Sequence, residues 1–166
     1  MSAVALARDA QSATFNFSKA TVVMVDANAL CLEVTTGILS GFGFRRFHRC
    51  LDLASATNIV KGYPADLILI DPAHYGEAAF EFVRWLRSER LGPNSAVPVI
   101  MMTSFTHMRL ITAARSCGAD YVVAKPFSTA ALLERILWVA ENEGRRGTLV
   151  SSPDLVSNEG SGVEVW

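Results

Sequence analysis

The sequence predicts an α/β fold in which a five-stranded parallel sheet is doubly wound by five helices. Two observations carry that prediction. Four short runs are apolar at consecutive positions, and segments of helical period fall between them, so that strand and helix alternate five times. A strand that is apolar at consecutive positions is covered on both faces, as in the interior of a parallel sheet. Right-handed crossovers that carry helices to both faces are then the expected solution.

Taken in order, residues 1–19 are small and polar without sustained period and read as a loose arm. The first strand is Val22 to Val25. A helix follows, in which Leu30, Val34 and Ile38 recur every four residues. Phe44 to Arg49 is a more polar strand, which suits a sheet edge, and Leu51 to Lys61 is a short helix. The third strand is Leu67 to Ile70, and the helix after it carries the stripe Ala79, Phe80, Val83 and Leu86. Val97 to Met102 is the fourth strand. The next helix ends at Cys117, with Gly118 just past its last turn. Tyr121 to Ala124 is the fifth strand. The last helix starts at Ser128 or Thr129 as N-cap and shows Leu132, Leu133, Ile136, Leu137 and Ala140 on one face. An ordered domain over 20–143 follows, with a loose tail over 144–166 that is rich in Gly, Ser and acids.

Composition narrows the function. Of 166 residues, 51% are hydrophobic, enough for a core. Fifteen basic and sixteen acidic side chains leave a net charge of −1, which argues against a general nucleic-acid binder. No apolar stretch is long enough for membrane insertion. The start has no basic region followed by a long apolar one, as a secretory signal would. Cys31, Cys50 and Cys117 are odd in number and have no paired spacing, which suits a reducing cytoplasm. The expected localisation is cytoplasmic.

In a wound sheet the functional site lies outside the carboxyl ends of the strands, where strand order reverses. Asp26 ends the first strand and Asp71 the third. Thr103 and Ser104 end the fourth, and the fifth runs into Lys125-Pro126-Phe127. Two carboxylates, a hydroxyl and an ammonium are what phosphoryl transfer to a carboxylate requires: one carboxylate attacks, the other helps to hold Mg²⁺, and the hydroxyl and ammonium meet the phosphoryl oxygens.

The segments VVMVDAN, DLILIDP, VPVIMMTS and GADYVVAKPFS, in this order, resemble the receiver domain of bacterial two-component response regulators. The likeness implies a flavodoxin-like sheet with strand order 2-1-3-4-5. It places Asp71 on the phospho-accepting aspartate, Thr103 on the switch hydroxyl, Lys125 on the family's lysine, and Asp26 on the first of two acids ending strand one. It further implies Mg²⁺ held by Asp26, Asp71 and the backbone carbonyl of Ala73, and a Lys-Pro step that is usually cis. A sensor histidine kinase or a histidine phosphotransfer protein is the implied upstream partner. Downstream stands an unnamed protein, met through the fourth helix, fifth strand and fifth helix. Such a domain is a phosphoryl recipient rather than an enzyme, and no output segment is visible after it.

Three positions depart from the pattern. Ala27 replaces the second acid of strand one; a unit-charge pair about 4 Å apart is worth about 4 kcal/mol at an effective dielectric of about 20, so Mg²⁺ binding should be weak or absent. In the loop after Asp71, Tyr75 and Ala79 replace the usual proline and glycine, Gly76 lies between them, and His74 reads as a solvated side chain. Val122 occupies the place of the aromatic that rotates with the switch hydroxyl, while Tyr121 points to the opposite face and could serve a partner surface. Two alternatives stand beside phosphoryl acceptance on Asp71. One is a receiver-like adaptor that signals by binding alone. The other is a nucleotide or cyclic-dinucleotide module using Arg45, Arg46 and Arg49, interleaved with Phe44 and Phe47. That segment also reads as an edge strand whose charges deter pairing. Trp138 is a candidate interface anchor, and Val163 to Trp166 a candidate docking peptide.

Overall fold

The structure is a computed structural model and describes residues 17–88, 90–105 and 107–141. The strands are β1 (Thr21–Val25), β2 (Arg46–Cys50), β3 (Leu67–Ile70), β4 (Val99–Thr103) and β5 (Tyr121–Ala124). The helices are α1 (Ala29–Phe42), α2 (Leu53–Gly62), α3 (Glu77–Ser88), α4 (Met108–Cys117) and α5 (Thr129–Glu141), with a 3-10 turn at Gly92–Ala96. The sheet has the order β2-β1-β3-β4-β5, and every pairing is parallel. Strand order reverses between β1 and β3.

The runs of consecutive apolar residues are buried throughout, as double coverage requires: β3 and β4 are buried at every position. Ile68, Ile70, Ile100 and Met101 lose essentially all solvent contact. Burying one such side chain contributes about 1.5–3 kcal/mol. On one face α2, α3 and α4 pack side by side, and α1 takes the other face by the handedness of the crossover. At the edge, β2 buries Cys50 and leaves Arg46 and Arg49 in solvent.

The helix ends follow from local chemistry. Asn28 caps α1, its Oδ1 accepting the N–H groups of Leu30 and Cys31 at 3.0 and 3.3 Å. Asp52 caps α2 through Ser55 N–H, and Ser128 rather than Thr129 caps α5 through Ala131 N–H. Gly118 closes α4 at φ 101°, and a Cβ there would meet Arg87 Cγ at 2.9 Å.

Several expectations need correction. In α1 the stripe Leu30, Val34 and Ile38 is only partly inward: Leu30 and Val34 are 66% and 56% exposed, Ile38 packs against the core, and Leu32, Thr35 and Leu39 are buried. Strand β4 begins at Val99, because Pro98 has no N–H to pair, although its carbonyl accepts from Ile68. Strand β2 begins at Arg46, two residues late. Phe17, placed by sequence in the loose arm, packs its ring 4.6 Å from that of Phe44. Residues 1–16, the tail over 144–166 and the Val163–Trp166 peptide lie outside the described residues.

Candidate functional site

Parallel pairing in register brings the ends of β1, β3, β4 and β5 to one edge. The Asp26 N–H donates to Cys50 O, the Asp71 N–H to Val25 O, and the Lys125 N–H to Thr103 O. These bonds set the next residue of each chain at the rim. Asp26, Asp71 and Thr103 are buried there, and the Lys125 side chain is 15% exposed.

Lys125 Nζ donates to Asp71 Oδ2 at 2.8 Å and to Asp26 Oδ2 at 3.0 Å. The other oxygen of each carboxylate is held by local backbone: Asp26 Oδ1 accepts from Asn28 N–H and Asp71 Oδ1 from Ala73 N–H, both at 2.8 Å. Burial alone would lower the Lys125 pKa, but hydrogen bonds and charge from Asp71 and Asp26 outweigh it and hold the pKa above the ordinary lysine value. Thr103 Oγ1 accepts from Phe105 N–H at 3.1 Å, which leaves the hydroxyl proton to donate. The Lys125–Pro126 bond is cis. Three of the four expected side chains thus meet, two carboxylates sharing one ammonium, and Thr103 ends the strand beside them.

A family model describing the response regulator receiver domain matches residues 22–137. The chain belongs to that family. Among curated relatives, the DNA-binding response regulator MtrA of Mycobacterium tuberculosis is 30% identical over 115 residues, covering 69% of this chain and 48% of the relative. The MtrA of Mycolicibacterium smegmatis is 28% identical over 135 residues, covering 81% and 57%. This receiver chain therefore spans about half the length of the curated relatives it matches. Among solved structures, chemotaxis response regulator CheY4 of Vibrio cholerae shares 23% identity at a TM-score of 0.64, covering 72% of this chain and 98% of that one. A CheY-like receiver domain protein of Methanospirillum hungatei shares 20% identity at a TM-score of 0.65, covering 77% and 98%. At such identities the likeness is one of fold.

Membership places the receiver in two-component signalling. Receiver domains typically hold Mg²⁺ in the acidic pocket. Here that pocket offers two carboxylates, Asp26 and Asp71, while Ala27 brings none. Among the described residues no group of three or more His, Cys, Asp or Glu side chains is arranged to hold a metal. Among them, too, no helix is long and apolar enough to cross a membrane.

Other expected site residues fall elsewhere. Tyr121 and Val122 are both buried. The Tyr121 ring lies edge-on to Trp138 at 5.8 Å, with the Arg135 guanidinium 4.7 Å from its centroid. Ala73 and His74 are exposed in the loop. The arginines of β2 form no common grip: strand alternation puts Arg46 and Arg49 on opposite faces, and Arg45 donates to the carbonyls of Ser40 and Phe44. The phenylalanines face inward, Phe44 completely. One residue at the site was underread. Tyr75 reaches from the β3–α3 loop to the Leu51 carbonyl, a contact between segments distant in sequence.

Proposed function

We propose that Asp71 accepts a phosphoryl group and that the domain passes the signal on through protein contacts, without catalysing turnover of its own. The observation that carries this reading is the 2.8 Å bond from Lys125 Nζ to Asp71 Oδ2, with Thr103 on the adjacent strand end. A carboxylate oxygen of Asp71 attacks phosphorus in line, the bond to the donor breaks, and the donor's histidine or small leaving group takes the electron pair. The new acyl phosphate brings further negative charge. Lys125 keeps Asp26 and turns its Asp71 bond onto a phosphoryl oxygen, and the Thr103 hydroxyl donates to another. A histidine kinase or phosphotransfer protein is the physiological donor in this reading.

Asp26, Asp71 and the Ala73 carbonyl would hold Mg²⁺, an ion that accepts one or two carboxylates when water and phosphate oxygens complete its shell. Bound there, the ion neutralises charge that develops on the transferring group. Without an acid at position 27 the donor set fits it weakly.

Incubation with Mg²⁺ and phosphoramidate, read by intact mass, should give a labile adduct of one phosphoryl group. Asp71→Asn should abolish it. A second reading, a phosphorylation-independent adaptor, draws support from Ala27 and from the covered Tyr121. Absence of adduct with the small donor and with a partner kinase alike would select the adaptor.

A further inference from the structure

Tyr75 has no counterpart in the family's pattern, and its contacts are specific. Its hydroxyl donates to Leu51 O at 2.6 Å, and its ring is half-buried against the core. Leu51 lies between β2 and α2, whereas Tyr75 lies between β3 and α3. Because β1 stands between β2 and β3 in the sheet, the side chain must cross the carboxyl end of β1, where Asp26 and Ala27 sit. Burial, followed by the charges of Asp26, Asp52, Asp71 and Cys50, pushes the phenol up to about 12.

The backbone links the phenol to the acceptor. Tyr75 N–H donates to Pro72 O at 3.1 Å, and between them Ala73 N–H holds Asp71 Oδ1. Gly76 then turns the chain into α3 at φ 58°, a left-handed conformation that a side chain would strain. The loop is a short closed unit with one end on the acceptor carboxylate and the other on Leu51.

We propose that Tyr75 is a strap across the Asp26 side of the pocket: it is a positioning residue that fixes the β3–α3 loop and one oxygen of Asp71, and it bars solvent and small donors from that side. Its effect on transfer rests on the phosphoacceptor reading; loop closure does not.

Tyr75→Phe deletes the bond and keeps the ring, and Tyr75→Ala removes both. In the full chain, hydrogen exchange of the Ala73 amide should lose about fivefold protection in Tyr75→Phe, the equilibrium weight of one ordinary hydrogen bond, and more in Tyr75→Ala. The Val122 amide should be unchanged in both. With phosphoramidate, adduct should form and hydrolyse severalfold faster in the order Ala, Phe, unmutated. Lower thermal stability with unaltered Ala73 exchange would overturn the strap. Unaltered adduct formation and lifetime in both variants would overturn the barrier. If the unmutated protein forms no adduct, the acceptor reading fails, and the Ala73 exchange alone then decides whether the strap stands.

Discussion

Two buried ion-pair clusters lie at opposite ends of one sheet and are built on different plans. At the amino ends, Arg87 donates Nη2 to Asp120 at 3.0 Å, and Nε and Nη1 to the carbonyls of Gly118 and Ser95, each at 3.1 Å. The same Asp120 oxygen takes Val99 N–H at 2.8 Å. Arg87 meets Asp120 there, and backbone carbonyls and an N–H share the two groups. At the carboxyl ends a single ammonium serves two carboxylates. Burial of charge is common to both clusters, so burial does not mark the functional one. The sharing does: Arg87 is tied to Asp120 and to two carbonyls, whereas the ammonium at the mouth is divided between two carboxylates and can change partners.

Stability should separate the two most strongly. Arg87→Ala removes the cation paired with Asp120 and should cost about 3–5 kcal/mol, while Asp71→Asn leaves Lys125 paired with Asp26 and should shift stability by less than about 1 kcal/mol. Urea denaturation of both variants gives the answer, and equal losses would break the contrast. Ala27→Asp should raise Mg²⁺ affinity about tenfold or more by calorimetry, since it supplies a third carboxylate to a set that lacks one. No gain would show that more than a ligand separates this pocket from a metal site.

The smallest effect lies in alkali. Asp71 and Asp26 raise the Lys125 pKa above 10.5 against the pull of burial. A raised lysine gives stability that is fully present below its unfolded value and is lost as pH rises through the folded one. Stability should therefore decline above about pH 10.5, and Lys125→Met should flatten the decline. Tyr75 drives the same trend between its ordinary value of 10.0 and about 12, so the comparison belongs in a Tyr75→Phe background. Arginine does not titrate in this range, so the Arg87 guanidinium keeps its charge throughout.

The fold was legible because β1, β3, β4 and β5 are apolar at successive positions, a signal that only double coverage explains. The mouth was legible for a related reason: Asp26, Asp71, Thr103 and Lys125 each stand where such a run stops. The face of α1 was not. Leu30, Val34 and Ile38 obey helical spacing, but so does the set Leu32, Thr35 and Leu39, and a buried threonine hides the inner stripe from an apolar count. Tyr121 read as surface because its cover, Trp138 and Arg135, comes from a helix whose docking angle no local pattern encodes. The Tyr75 contact was out of reach because it depends on which two loops the sheet order makes neighbours.

Asn94 adds one more tie at the amino ends. Its carboxamide accepts the Ala65 N–H and donates to the carbonyls of Val60 and Tyr63. Together with Arg87 it knots the turn before β4 to the segments flanking β3. Compliance is thereby pushed to the opposite rim, where loops rather than strands must absorb any new volume. An event at the phosphoacceptor rim therefore has loops, rather than this knotted floor, beside it.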